Sequence, residues 1–355
     1  MTDHDRNRAR DSRFRADRRR ALGALAALAV GATAARPAAA AGTVTVYSAL
    51  DREFAEPILR AYEKSAGVRV LSKFDVESTK TVGLTQLIAA EAARPRCDLF
   101  WNNEILNTLR LKRAGLLQPF RPASAAGYPA AFKDREGFWY GFAARARILL
   151  VNTERVRETD RPRGLLDLVD PRWKGQVAIA KPLFGTTATH ATCLFAAWGP
   201  EKAEAFFRKL KDNGVQVLSG NKQVAQAVGT GAAAFGLTDT DDAMGERDEG
   251  QPVALVYPDR AAGALGTLFI PNTLAIVKGA PHADQAVALA DHLLSPAVET
   301  ALARGPSAQI PLNPAVTVPA RVETPKTVHP MPVDWDSAVA RWDHAAAFLA
   351  NLFAG

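Results

Sequence analysis

Cysteine is nearly absent from this chain: Cys97 and Cys193 are the two in 355 residues. That excludes a disulfide scaffold and a cysteine-rich zinc fold, and both thiols read as small buried apolar residues. Histidine is equally sparse, six residues scattered from His4 to His344. Only His190 falls near a polar cluster, and a lone histidine early in a helix reads as structural. There is no Gly-x-Ser-x-Gly elbow, no His-Glu-x-x-His pair and no lysine at phosphate-loop spacing, so the common catalytic motifs are missing. No clean apolar run of about 20 residues occurs, which excludes a polytopic membrane protein. An excess of one charge is also missing from the body of the chain. The net charge is +7, but residues 1–41 hold nine Arg and four Asp, leaving thirty-five basic against thirty-three acidic residues in the remainder. A nucleic-acid binder needs a basic face on its folded domain, so no nucleic-acid partner is expected.

What is present begins with an address. A charged stretch ends in Arg18-Arg19-Arg20, a mildly apolar stretch spans 21–35, and Pro37 precedes Ala38-Ala39-Ala40-Ala41. Basic segment, apolar segment and small residues in that order make a secretory signal, and the long basic part with its arginines resembles a twin-arginine export signal. Residues 1–41 are therefore expected to be an export signal removed near Ala41, with a periplasmic mature protein.

From residue 42 onward the composition is globular, 48% hydrophobic and 23% charged. Short β-branched runs alternate with amphipathic ones. Strands are expected at 43–48, 68–74, 98–101, 146–152, 175–180, 215–218, 232–237 and 268–277, with helices between them. Asp51 is placed to cap the first helix, and Gly67 to end it. Alternation at this spacing predicts an α/β fold.

Polar clusters recur just after the expected strands: Ser48 and Asp51, then Ser78-Thr79-Lys80, Asn102-Asn103-Glu104, Gly185-Thr186-Thr187, Asn221-Lys222, and Thr238-Asp239-Thr240-Asp241-Asp242. In open α/β sheets ligands bind beyond the carboxyl ends of the strands, so this recurrence marks a shared cleft. Gly185-Thr186-Thr187 opens a helix, where free amides and hydroxyls suit an anion, and Ser78-Thr79-Lys80 has the same design with an added cation. Asp239, Asp241 and Asp242 repel one another unless a cation, an amine or hydrogen bonds offset them.

Several of these segments together resemble the periplasmic ferric-binding proteins, within the extracellular solute-binding proteins of ABC transporters. They are Val44-Thr45-Val46-Tyr47-Ser48, Cys97-Asp98-Leu99-Phe100-Trp101, Gly141 to Arg147, Pro171-Arg172-Trp173-Lys174-Gly175, Leu210-Lys211-Asp212-Asn213-Gly214 and Ser307 to Pro311. The resemblance implies a type II periplasmic-binding-protein fold, two α/β lobes with mixed sheets joined by a strand hinge. It suggests lobe 1 at 42–143 plus about 268–315, lobe 2 at 144–267, and a C-terminal helical extension at 316–355. It also implies a non-enzymatic monomer that delivers a small charged solute to an inner-membrane ABC permease and its ATPase. The family's anion-binding helix start falls at Phe184-Gly185-Thr186-Thr187, its two asparagines at Asn221 and Thr238, and its arginine at Arg145. Its iron-binding histidine falls at Asp51, its glutamate at Asn103 with Glu104 adjacent, and its paired tyrosines at Thr240 and Asp241.

Two chemical readings stay open. Asp51, Asp239 and Asp241 could hold Fe(III) as transported cargo, with a bound anion completing an oxygen shell; no resident cofactor is expected. Alternatively, an organic solute places a phosphate, phosphonate or carboxylate at Gly185 to Thr187 with Lys80 and Arg145, and its amine or hydroxyls against Asp239, Asp241 and Asn103. A bilobal enzyme of the deaminase type would need a reactive group in the cleft, and neither cysteine lies in a loop of that cleft.

Overall fold

The computed structural model describes residues 42–76 and 79–354; residues 1–41, expected to be an export signal, and Ser78 lie outside the described residues. Ten strands form one continuous, strongly crossed sheet: β1 (Thr43–Ser48), β2 (Arg69–Phe74), β3 (Leu99–Asn102), β4 (Leu117–Gln118), β5 (Tyr140–Asn152), β6 (Val177–Ala180), β7 (Gln216–Leu218), β8 (Phe235–Asp239), β9 (Val253–Val256) and β10 (Phe269–Val277). Their order is β2-β1-β3-β10-β5-β8-β6-β7, with β4 on β10 and β9 on β5. β1 pairs in parallel with β2 and β3, and β6 with β7 and β8, while β5 and β10 run antiparallel to their neighbours. The sheet is thus mixed, as the α/β reading expects.

β5 is the hinge of this arrangement. Its first half, through Ala146, pairs with β10, and its second half, from Arg147, pairs with β8 and β9. The strand starts six residues earlier than its apolar run suggests, because Gly141 and Arg145 mask a segment that is buried throughout.

Among the described residues eleven α-helices cover the sheet: α1 (Arg52–Ala66), α2 (Val82–Ala90), α3 (Leu106–Arg113), α4 (Gly185–Trp198), α5 (Pro200–Asp212), α6 (Asn221–Gly229), α7 (Thr240–Asp248), α8 (Ala283–Leu293), α9 (Pro296–Arg304), α10 (Trp335–Ala340) and α11 (Trp342–Leu352). Gly67 closes α1 in the left-handed region at φ 64°, donating its amide to the Glu63 carbonyl, as its lack of a Cβ allows. Alternate strand residues feed two apolar clusters, one on each face. Tyr47, Phe100, Leu149 and Val151 join the cluster under α4, α5, α10 and α11. Val46, Trp101, Leu150 and Ile276 join the one under α1, α6 and α8. Both clusters run across the hinge, and residues 42–355 pack as a single unit. The chain's end contributes to that packing, since α10 lies against both α3 and α4.

Candidate functional site

The strand ends that carry the polar clusters converge. β1 delivers Asp51, β3 delivers Asn103 and Glu104, β6 leads into Gly185 at the start of α4, and β8 ends at Asp239 as α7 begins. The expected acidic turn is therefore a helix start, where the exposed amides favour carboxylates.

Two arginines organise the centre. Arg145 and Arg147 stand two apart on β5, so both project to the same face of a strand, and they are 1% and 0% exposed. Arg145 donates from Nε to Asp241 at 2.9 Å, from Nη2 to the Asn272 carbonyl oxygen at 3.1 Å, and from Nη1 to the Asn103 backbone carbonyl. Arg147 donates from Nη1 to Asp239 at 2.8 Å and to Asn221 at 3.0 Å, and from Nη2 to the Thr187 hydroxyl at 3.1 Å. Buried ions are tolerated only when each is paired and its remaining hydrogen-bonding capacity is used. Both guanidiniums come close to that condition.

Around this centre lie groups that still reach solvent. Lys80 Nζ donates to Asp51 Oδ1 at 2.5 Å. Burial would raise the Asp51 carboxyl, but the Lys80 ammonium outweighs it and holds that carboxyl below its ordinary value. Asp242, next to Asp241 and half-buried, has no cation paired with it among the described residues. Burial first, then the carboxylates of Asp241 and Asp51, push it well above the usual range. Asp239, Asp241 and Asp242 each bring an oxygen within 4.8 Å of the others. With Asp51 included, four carboxylates face the three cations Lys80, Arg145 and Arg147.

The two halves of the sheet meet directly across this site. The Gly185 amide donates to the Lys80 carbonyl at 3.0 Å, Thr189 donates to Glu104 at 2.7 Å, and Lys222 pairs with Glu53 at 3.1 Å. Gly185 adopts φ 54°, which favours a residue without a Cβ. The described residues thus show a closed arrangement. Larger surface concavities, such as one of about 580 Å³ beside Arg121, Lys133 and Arg135, lie away from these strand ends.

The sequence expectations divide cleanly. Asp51, Lys80, Asn103, Arg145, Gly185, Thr186, Thr187, Asn221, Asp239 and Asp241 are brought together. Four others are turned toward the fold. The Ser48 hydroxyl donates to the Leu50 carbonyl, Thr79 to Asp75 and Thr238 to the Asn221 carbonyl, while Thr240 accepts from the Ala146 amide. Asp51 occupies the cap position of α1, but its side chain makes no cap bond and turns to Lys80 instead. The expected anion seat is divided: Gly185 lies against Lys80, as expected, while Thr186 and Thr187 face Arg147 and Asp239 rather than Arg145. Glu104, not Asn103, contributes the buried carboxylate after β3, and it is spent on the Leu106 and Asn107 amides of α3 and on Thr189. Arg147 and Asn272 are not among the expected site residues, and Asp242 is expected only as part of the acidic cluster, not as a ligand. The signal for Arg147 was legible as a second arginine at alternate spacing in an apolar strand. Asn272 carried no such mark.

All five tyrosines are engaged elsewhere. Tyr47 donates to Glu91, Tyr128 to Leu294 and Tyr140 to Phe120, Tyr257 accepts from the Glu323 amide, and Tyr62 packs on His292. His190 lies beneath Arg147, and burial together with that charge holds its imidazole well below the ordinary value. It is neutral in the fold and takes a proton on unfolding in mild acid. Its effect on stability is nil above the unfolded value and grows as pH falls below about 6.5, at up to about 1.4 kcal/mol per pH unit. His190→Gln is expected to flatten the stability-versus-pH curve between pH 6 and 5, read by urea unfolding; an unchanged slope would remove His190 from the acid response.

Comparison with known proteins bears on the family and the fold. Residues 98–341 match the family described as bacterial extracellular solute-binding protein. The Major ferric iron-binding protein of Neisseria meningitidis serogroup A is 29% identical over 212 residues, covering 58% of this chain and 60% of that protein, so the match spans less than two thirds of the relative. The crystal structure of iron-bound HitA from Pseudomonas aeruginosa superposes with a TM-score of 0.79 at 22% identity, over 88% of this chain and 99% of that one. The binding protein AfuA from Actinobacillus pleuropneumoniae, with exogenous fructose-6-phosphate bound, superposes at 0.76 and 21% identity, over 87% and 98%. At such identities the superpositions establish the type II periplasmic-binding-protein fold, and the family is one of binding proteins rather than enzymes. The chain belongs to the bacterial extracellular solute-binding protein family.

Proposed function

We propose that this protein captures a small charged solute between the two halves of its sheet and presents it to an ABC permease and its ATPase for import. The lobes in this reading are 42–143 with 268–315, and 144–267, and the segment 316–355 ties them at the back. Residues 1–41 direct export to the periplasm by the twin-arginine route and are removed near Ala41. The observation that carries the reading is the convergence of Asp51, Lys80, Asn221 and Asp242, all reaching solvent, over the two buried arginine–aspartate pairs. Asp242, which has no paired cation among the described residues, gives the cluster a place for a cationic solute or a cationic group on a larger one.

Ferric ion is the leading cargo, supported by the names of the relatives and by the oxygen donors of Asp51 and Asp241, with Asp242 in place of the expected Asp239, whose carboxylate is taken by Arg147, Thr186 and Asn221. Fe(III) is a hard cation that accepts carboxylate oxygens. With every tyrosine engaged elsewhere, a ferric complex here is expected to lack the intense visible band of tyrosinate-to-iron charge transfer. A strong band near that of a ferric phenolate would overturn this carboxylate donor set.

A second reading is supported by the lysines Lys80 and Lys222 at the rim and by the sugar phosphate bound to AfuA: an organic solute carrying both an anionic and an amino or hydroxyl group. A thermal-shift screen with Fe(III)–citrate, phosphate, sugar phosphates, aminophosphonates and polyamines separates the two, because a ligand specific to the folded state raises stability by RT ln(1 + [L]/Kd). Stabilisation by none of these classes would sink solute capture as read here.

A further inference from the structure

Thr186, Thr187, Asn221 and Arg147 form a donor set of the kind that holds an inorganic anion. Thr186 and Thr187 lie at the N-terminus of the fourteen-residue helix α4, where backbone dipoles favour negative charge, Asn221 opens α6, and Arg147 reaches them from β5. What they hold is a side chain. Asp239 Oδ1 accepts from Arg147 at 2.8 Å, and Oδ2 accepts from Thr186 at 2.5 Å and from Asn221 at 2.9 Å. Thr187 donates in turn to Asn221 at 3.0 Å. The Asp239 carboxylate is almost fully buried and belongs to the last residue of β8, so it is carried into this seat by the sheet itself. A second observation is that the carboxylate leaves part of this guanidinium unused: Arg147 Nε is buried and has no hydrogen-bond partner among the described residues. A carboxylate brings two oxygens, whereas a tetrahedral oxyanion brings four.

We propose that Asp239 is a built-in anion. It fills the anion seat of this cleft from within, so the protein captures its solute without any co-bound phosphate or carboxylate at α4. This deepens the solute-capture reading and takes its meaning from it. It also narrows the solute: an anionic group on the ligand must be met by Lys80 or Lys222 at the rim, since the seat at Gly185 to Thr187 is taken. A cationic group is met by Asp51, Asp241 and Asp242.

The test uses inorganic phosphate alone, on the wild type, Asp239→Ser and Asp239→Asn, by thermal unfolding and isothermal titration. The wild type is expected to show no saturable response. Asp239→Ser removes the internal charge and makes room, so it is expected to gain a saturable phosphate site and a rise in Tm of about 2 °C or more. Asp239→Asn keeps the seat filled and is expected to gain none. A folded Asp239→Ser that ignores phosphate overturns the proposal, and so does a wild type that binds phosphate at this seat, identified by loss of the response in Thr186→Val. If Asp239→Ser fails to fold, the wild-type titration decides: no response supports the proposal, and a Thr186-dependent one overturns it. Because no transported solute enters the test, failure to find one leaves the result standing. A phosphate-responsive wild type would equally leave solute capture intact.

Discussion

Arg147→Ala is expected to lower the unfolding free energy by about 3–5 kcal/mol, the cost of leaving a buried partner charge alone. The deleted guanidinium is fully buried, and it holds Asp239, Asn221 and Thr187 at once. Removing it leaves the Asp239 carboxylate with only neutral donors, Thr186 and Asn221. Those donors reduce the penalty without supplying the opposite charge. The comparison that isolates the pair is a double-mutant cycle with Asp239→Leu. The double variant Arg147→Ala/Asp239→Leu has no charge of this pair left to desolvate and keeps the Thr187–Asn221 hydrogen bond. A coupling of about 2 kcal/mol between the two positions is expected by urea unfolding. Additive losses would mean that Arg147 supports the strand by packing alone, and that the anion seat described above is not electrostatically closed.

The same two residues mark the limit of what could be read beforehand. β1 and β10 were legible because Thr43–Ser48 and Phe269–Val277 are mostly apolar or β-branched, and Gly67 ends α1 for a local reason. The recurrence of polar residues after strands located the cleft, since topology alone brings those ends together. What stayed hidden was pairing. Nothing local says that Asp239 turns inward to Arg147 while Asp242, three residues on, keeps no cation. That division follows from β8 ending and α7 beginning between them, which changes the direction in which successive side chains project. The early start of β5 was hidden for a related reason. A charged residue in a strand reads as exposed, and Arg145 is buried only because Asp241, Asn103 and Asn272 surround it. Asp51 is the reverse case, a residue whose local role as a helix cap was displaced by a lysine 29 positions away.

Asp242→Asn is expected to move binding and stability in opposite directions. Asp242 enters no ion pair among the described residues, and its carboxyl is raised by burial and by Asp241 and Asp51. A raised carboxyl favours the fold only while protonated, and that contribution is lost as pH rises through its folded value. Its ionised form is the costly one in the solute-free protein. An amide of the same shape removes that cost, so the variant is expected to be more stable by about 1 kcal/mol. A cationic solute reverses the balance, because the unpaired carboxylate is the charge it neutralises. Losing one charge-assisted contact of roughly 1.5–3 kcal/mol weakens binding by about 10- to 150-fold. Asp248→Asn is the control on the same helix, since that residue is committed to Arg321 at 2.7 Å on the surface. It is expected to leave affinity within about twofold, as exposed pairs contribute little. Calorimetric titration with the solute found by the screen, paired with urea unfolding of the solute-free variants, reads both quantities. A stability loss at Asp242→Asn, or equal affinity losses at 242 and 248, would show that this carboxylate serves the fold and not the cargo.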